Sequence, residues 1–251
     1  MERLLYISRK NENDAKASYN RSNLYRDLFS HDLNNILQSF QGYLDLSSLY
    51  IRNPNKIEKI KDLLNLANRQ ICRASNLVSS VNILSKLETI KQEQQDTNFF
   101  MILKQAIKNI KEAAAKYKDL DIQIDILTQK KYIKSNELLI YIFENLLKNS
   151  IIHNKNSQIT ILIKVSEENI ETLNYIKFEF IDNGIGIPDS QKDKIFMRGS
   201  EESDLTSGIG LGLTMVNKMI EIYNGKIYVE DKIKGDHTKG SNFIIEIPAS
   251  N

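Results

Sequence analysis

The sequence is short of the features that mark several kinds of protein. It holds one cysteine, Cys72, in 251 residues. No internal disulfide can form, and the residue reads as a small core side chain of a reduced, cytosolic protein. No apolar run approaches the roughly 20 residues that a membrane span needs. No basic segment followed by an apolar one opens the chain, so no signal peptide is expected and the expected location is cytoplasmic. Neither charge sign dominates: 34 Lys and Arg stand against 32 Asp and Glu, a net charge of +2. That balance favours neither nucleic-acid binding nor a polybasic membrane anchor. Prolines and glycines are few, and their placement is informative. Gly42 and Pro54 are the only ones in the first half, whereas glycines cluster at 184, 186, 208, 210 and 212. What is present suits a packed domain: 41% hydrophobic and 26% charged residues.

The first half is patterned as helix. Ile57, Ile60, Leu64, Ala67, Ile71, Ala74, Val78 and Val81 alternate in steps of three and four, an a/d heptad seam. Leu33, Leu37, Phe40 and Leu44 make a shorter seam, and "RNPN" at 52–55 reads as the turn between two helices. The pattern predicts an antiparallel helical hairpin over 23–90, after a helical lead-in at 1–22. Two helices bury little surface, so a homodimeric four-helix bundle is expected. "KQEQQDTN", 91–98, is polar and aperiodic and reads as a linker, with Asp96 or Thr97 capping the next helix. From 99 to 251 helical and period-two stretches mix. "DIQIDIL", "QITILIKV", "YIKFEFI", "KIYVE" and "NFIIEI" predict strands. "FFMILKQAIKNIKEAAAKY", "SNELLIYIFENLLKNSIIH" and a stretch from about Leu213 to Tyr223 predict helices, the second capped by Ser135 or Asn136. The fold class is therefore α+β: the hairpin, then an α/β two-layer sandwich.

Four stretches could carry chemistry. In "LFSHDLNNILQ", His31 points roughly 160° away from the apolar sector of its helix and should face solvent. Most exposed histidines do nothing, but Asp32 beside it could hold one ring nitrogen protonated and leave the other nucleophilic. In "ENLLKNSIIH", Asn145 and Asn149 share one helix face. Their amide oxygens could be hard ligands for Mg²⁺, or simply bond to neighbours. "IDNGIGIPD" puts Asp182, Gly184 and Gly186 directly after a strand, as a plain tight turn or as a binding turn. "SGIGLGLTMVNKMI" is a glycine-rich turn opening into a helix, a ready phosphate site. Its G-x-G-x-G spacing and the polar loop before it disfavour a dinucleotide-binding reading. The polar stretch between these motifs, around Ile195 and Phe196, reads as a lid or a disordered connector.

In this order the motifs resemble those of sensor histidine kinases of two-component signalling systems, over essentially all of 23–251. "FSHDLNNIL" resembles the phospho-acceptor box, "NLLKNSIIH" the N box, "DNGIGIP" the G1 box and "KIFMRG" the F box. "GIGLGLTMVNKMIEIYNGKI" resembles the G2 box and "GSNFIIEIP" the closing G3 segment. The resemblance implies a Bergerat-type ATP-binding domain at 99–251 behind a dimerising phosphotransfer hairpin. It implies that His31 takes the γ-phosphoryl group of ATP, with Asp32 orienting or deprotonating it. Asn145 and Asn149 would bind Mg²⁺, and Asp182 would read the adenine amino group. Gly184, Gly186, Gly208, Gly210 and Gly212 match hinges and phosphate-facing turns. Phe196, Leu213 and His153, at a position often tyrosine or histidine, complete the implied nucleotide site. Implied partners are a second copy, the receiver domain of a response regulator, and an upstream sensor domain or partner outside this chain. Asn35, four residues after the histidine, matches an amide that marks kinases also acting as regulator phosphatases.

The chain departs from that pattern at three places. Ile36 stands where a proline is usual, and Ile152 replaces the usual phosphate-contacting lysine. No arginine stands at Ser200 or Glu201, leaving Arg198 as the substitute. Two other readings compete. One is a Bergerat-fold ATPase, which would need a glutamate where Asn145 stands; Glu144 is one residue off. The other is a dimeric signalling scaffold or phosphatase with a degenerate nucleotide site, favoured by Ile152.

Overall fold

The computed structural model describes residues 30, 33–90, 94–114, 119–170, 173–197 and 211–250. His31, Asp32, Arg198, Gly208 and Gly210 lie outside the described residues. The chain divides into two compact units, 1–82 and 83–251.

In the first unit, residues 33–50 form helix α1 and Ile57–Ile90 form α2, which runs past the unit boundary. Between them Asn53 caps a 3-10 turn, Pro54–Lys56, by accepting the Asn55 N–H at 3.1 Å. Pro54 sits at the start of that turn, where its missing N–H costs nothing. The expected seam of α2 splits into two rows. Ala67 is 4% exposed and Ile60, Ala74 and Val81 are half-buried, but Ile57, Leu64, Ile71 and Val78 are 45–55% exposed. Leu37, Leu44 and Ile51 repeat the same seven-residue step of exposed apolar side chains in and after α1. Ile36, and not Leu37, is the buried residue of the first helix's opening turns. Cys72 follows the exposed Ile71 and is itself exposed, so it is not a core residue.

The second unit is an α+β sandwich. Strand β1 (Gln95–Asn98) leads into helix α3 (Phe99–Ala114). Then come β2 (Asp119–Ile126), β3 (Tyr132–Ser135), α4 (Leu139–Ile152), β4 (Gln158–Ile170) and β5 (Leu173–Asp182). A short helix α5 (Asp189–Lys192), helix α6 (Leu211–Ile222) and the strands β6 (Lys226–Ile233) and β7 (Asp236–Pro248) follow. Five strands form one mixed sheet in the order β2-β4-β5-β7-β6. β2 and β4 are parallel and the other pairs antiparallel. The inward side chains of the sheet share one core with α3, α4 and α6. Phe178 is its centre: its ring meets Phe99 edge-on at 5.2 Å and Phe143 at 5.2 Å. Burying such a ring is worth about 1.5–3 kcal/mol.

Two local expectations change. The polar stretch before α3 is not all linker, because Gln95–Asn98 pairs antiparallel with β3. The cap of α3 is Asn98, whose Oδ1 accepts the N–H groups of Phe100 and Met101 at 3.1 and 3.2 Å; Asp96 instead pairs with Lys134. Elsewhere in the unit, α6 stops at Asn224–Gly225, directly after the expected end at Tyr223. Asn224 takes the left-handed turn at φ 56°, and the Gly225 N–H returns to the Ile220 carbonyl at 2.9 Å.

Candidate functional site

The site grows from the end of β5. Ile176, Phe178 and Phe180 alternate inward, and Asp182 continues that series as a carboxylate only 4% exposed. Its Oδ1 accepts two backbone N–H groups, from Gly184 at 2.8 Å and Ser241 at 3.1 Å. Its Oδ2 meets the Ser150 hydroxyl at 3.4 Å, and that hydroxyl also leans to the Leu146 carbonyl at 3.2 Å. One oxygen is thus saturated and the other weakly held, an acceptor for one more donor. Burial pushes the Asp182 pKa above its ordinary value, opposed by the Gly184, Ser241 and Ser150 hydrogen bonds and by Lys232.

Helix α4 runs beside this carboxylate. Leu139, Ile142, Phe143, Leu146 and Leu147 bury its apolar face, which leaves Asn145 and Asn149 half-buried at the edge. The Asn145 Nδ2 donates to the Tyr141 carbonyl at 2.9 Å. Its Oδ1 therefore points off the helix, and a Cβ on Gly212 would lie 2.8 Å from it. The metal-ligand candidate thus abuts the first turn of α6. His153 ends α4, and its carbonyl accepts the Ile185 N–H at 3.1 Å. Although the residue is exposed by area, the protein around its ring lowers the His153 pKa, with the Asp182 charge opposing. Between His153 and Asn145, α4 spans about 12 Å. One helix thus connects the buried carboxylate to the glycine-bounded start of another.

The glycine turn is tight for steric reasons. A Cβ on Gly184 would meet the His153 carbonyl oxygen at 2.8 Å, and Gly186, at φ +70°, backs onto His237. Gly240 opens the "GSNFIIEIP" segment but was given no role of its own above. Its φ is +121°, and a Cβ there would overlap the Asp182 carbonyl. Phe196 packs edge-on against Phe243 at 6.4 Å, and Lys192 bonds both Asp189 and Asp231 (2.6 Å to the latter). These contacts anchor the base of the expected lid, and Leu213 packs against the core. Ile152 is 61% exposed. On α1, Asn35 is exposed. A shallow cleft of about 380 Å³ beside the turn is lined by Lys155, Asn156, Asn183, Gly184, Ile185, Thr238 and Lys239. Of the expected site residues only Gly184 lines it, so it is not the site built here.

Ser150, Ser241, Gly240 and Asn183 lie within the quoted motifs but were given no role of their own, and Asn154 and Asn156, which knot with Asn183, lie outside them. Asn183 Oδ1 accepts from Asn154 Nδ2 at 2.7 Å and from the Thr160 N–H at 3.0 Å, and its Nδ2 donates to the Gln158 carbonyl at 3.1 Å. Asn156 Nδ2 donates to the Asn183 carbonyl. The available signal was Asp182 itself, in phase with three core residues, which requires saturating partners nearby.

A buried strand-end carboxylate, a helix with paired amides and a glycine in the first turn of a further helix thus lie in one unit. Residues 134–251 match the family described as "Histidine kinase-, DNA gyrase B-, and HSP90-like ATPase". That match covers the second unit's C-terminal part, and over most of its length the chain is similar to sensor histidine kinases. It is 27% identical over 231 residues to the uncharacterized sensor-like histidine kinase ycf26 of Porphyra purpurea, covering 87% of this chain and 34% of that protein. It is 28% identical over 238 residues to the signal transduction histidine-protein kinase ArlS of Staphylococcus aureus, covering 92% of this chain and 49% of that one. The chain thus spans between a third and a half of the length of these relatives. The fold is shared with histidine kinase ThkA in its complex with response regulator protein TrrA: TM-score 0.57, 19% identity, 88% of this chain and 60% of that one.

Proposed function

We propose that the chain is an ATP-dependent histidine autokinase. It phosphorylates His31 and passes the phosphoryl group to an aspartate of a response regulator, whose dephosphorylation it also assists through Asn35. The observation that carries this reading is Asp182: a buried carboxylate with one saturated and one available oxygen, suited to the exocyclic amine of adenine. Asn145 and Asn149 fit Mg²⁺. Their amide oxygens are hard ligands, and the Asn145 Oδ1 is turned toward the glycine-bounded start of α6 by its bond to Tyr141. The ion, when bound, neutralises charge on the phosphates. The chain's own residues position the nucleotide, which is most of what phosphoryl transfer asks of a protein. Asp182 holds the base, α4 presents the amides, and the backbone N–H groups at the start of α6 face the phosphates.

Glu144 speaks against the ATPase alternative. Its Oε1 accepts from Asn109 on α3 at 2.7 Å and Lys148 lies 3.6 Å from its other oxygen, so it is engaged away from the amides. The heptad-spaced exposed rows Leu37–Leu44–Ile51 and Ile57–Leu64–Ile71–Val78 support pairing of a hairpin with a second copy. The receiver-domain partner rests on the family and on the ThkA–TrrA complex. Incubation of the chain with γ-labelled ATP and Mg²⁺ tests the reading. Label on the protein is expected, and ATP binding without transfer would leave the scaffold alternative standing in its place.

A further inference from the structure

We infer that Asn183, held by Asn154, is a positioning residue that aims the Asp182 carboxylate and so sets the base selectivity of the site. The inference rests on the reading of Asp182 as the acceptor for the adenine amine. The sheet register ends at the pair Ile161↔Asp182, after which the chain leaves β5. From there the Asn183 side chain takes over the role of a ladder. Its Oδ1 accepts the Thr160 N–H and its Nδ2 donates to the Gln158 carbonyl, so one amide pairs with β4 as a strand backbone would. Its Oδ1 also takes the Asn154 Nδ2 at 2.7 Å, and its own carbonyl takes the Asn156 side chain. Asn154 in turn accepts the Asn156 N–H at 3.0 Å.

The turn is thereby tied to the start of β4 and to the connection after α4. These are the two segments that flank the site on that side. An aspartate at 183 could not donate to Gln158, and a serine has a single donor on a shorter reach. What the knot fixes is the backbone between Asp182 and Gly184. That backbone supplies the N–H that holds Oδ1 at 2.8 Å, and therefore the direction in which Oδ2 is offered. Both polar atoms of the Asn183 side chain are engaged with protein partners, so it acts on the site through its neighbour.

The test compares ATP with inosine triphosphate, which carries an oxygen where ATP carries the amine. Both are titrated by calorimetry against the full chain, Asn183→Ala and Asn154→Ala, with thermal melts alongside. Asn183→Ala should lose about tenfold in ATP affinity, the worth of one weakened charge-assisted bond, and leave inosine triphosphate affinity within about twofold. Asn154→Ala removes one of the two bonds to Asn183 Oδ1 and should show the same ATP-only loss on a smaller scale, even if Asn183→Ala fails to fold. Equal losses for both nucleotides would make the knot purely structural and overturn the proposal, as would unchanged ATP affinity in both variants. If the unmodified chain binds both nucleotides equally, Asp182 does not read the amine, and the reading beneath the proposal fails first.

Discussion

Asp182→Asn is the substitution whose outcome follows most closely from the geometry. Two backbone N–H groups, from Gly184 and Ser241, converge on Oδ1. An amide at this position must give them its oxygen, so its NH₂ falls where Oδ2 was. Ser150 can accept from that NH₂, because its own proton can go to the Leu146 carbonyl. The fold should therefore tolerate the change. Burial raises the Asp182 pKa, so ionising this group costs the fold stability as pH rises from the ordinary 3.8 through the raised value. The neutral amide avoids that cost, and the melting temperature near neutral pH should hold or rise. The site, however, now offers a donor where adenine also brings a donor. A charge-assisted bond of about 1.5–3 kcal/mol is lost, which is about 10- to 100-fold in ATP affinity. Inosine triphosphate, with an acceptor at that position, should bind the variant better than ATP does. Calorimetry with both nucleotides reads the switch. Unchanged ATP affinity would mean that "DNGIGIP" is only a turn.

Acidification should weaken ATP binding from a pH above 3.8 downwards, because the raised pKa of Asp182 protonates the acceptor early; in Asp182→Asn this early limb should be absent. Gly240→Ala forces a Cβ onto the Asp182 carbonyl at φ +121°, and should cost at least about 2 kcal/mol in denaturant unfolding. A variant as stable as the parent would show that this backbone relaxes freely. Leu64→Lys with Ile71→Lys puts two charges into the exposed heptad row of α2 and should yield a monomer by light scattering, whereas a parent chain that is already monomeric at micromolar concentration would sink the dimer. Asn35→Ala should label normally with ATP yet lose most of the rate at which it dephosphorylates a regulator. A joint fall of both activities would make Asn35 a docking residue.

The period-two pattern of "YIKFEFI" located β5, and the motif "IDNGIGIPD" directly after it located Asp182; that Asp182 continues the inward series of Ile176, Phe178 and Phe180 emerges only from the fold. Strongly apolar elements were legible for the same reason: α4 and the five sheet strands carry their own periodicity. β1 and β3 were not, since four-residue strands such as Gln95–Asn98 alternate no apolar side chains and are held by pairing with each other. The cap of α3 fell to Asn98 because β1 continues up to that residue, which moves the helix start past Asp96 and Thr97. Ser150, Ser241 and the Asn154–Asn156–Asn183 knot were hidden for a different cause. Each looks like an ordinary loop or helix polar residue until the sheet brings segments 154–160, 182–184 and 241 together. The roles given to His31 and Asp32, which lie outside the described residues, rest on the family motif and on the helical phase that turns His31 to solvent beside a carboxylate.

The central claim is that a phosphoryl group passes from ATP to one imidazole. The chain and His31→Gln should be incubated with γ-labelled ATP and Mg²⁺, and the labelled protein split between acid and base before counting. A phosphoramidate predicts label in the parent that is lost in acid and kept in base, and no label in His31→Gln, with nucleotide affinity equal in the two. Label that survives in His31→Gln, or that withstands acid, would contradict the account.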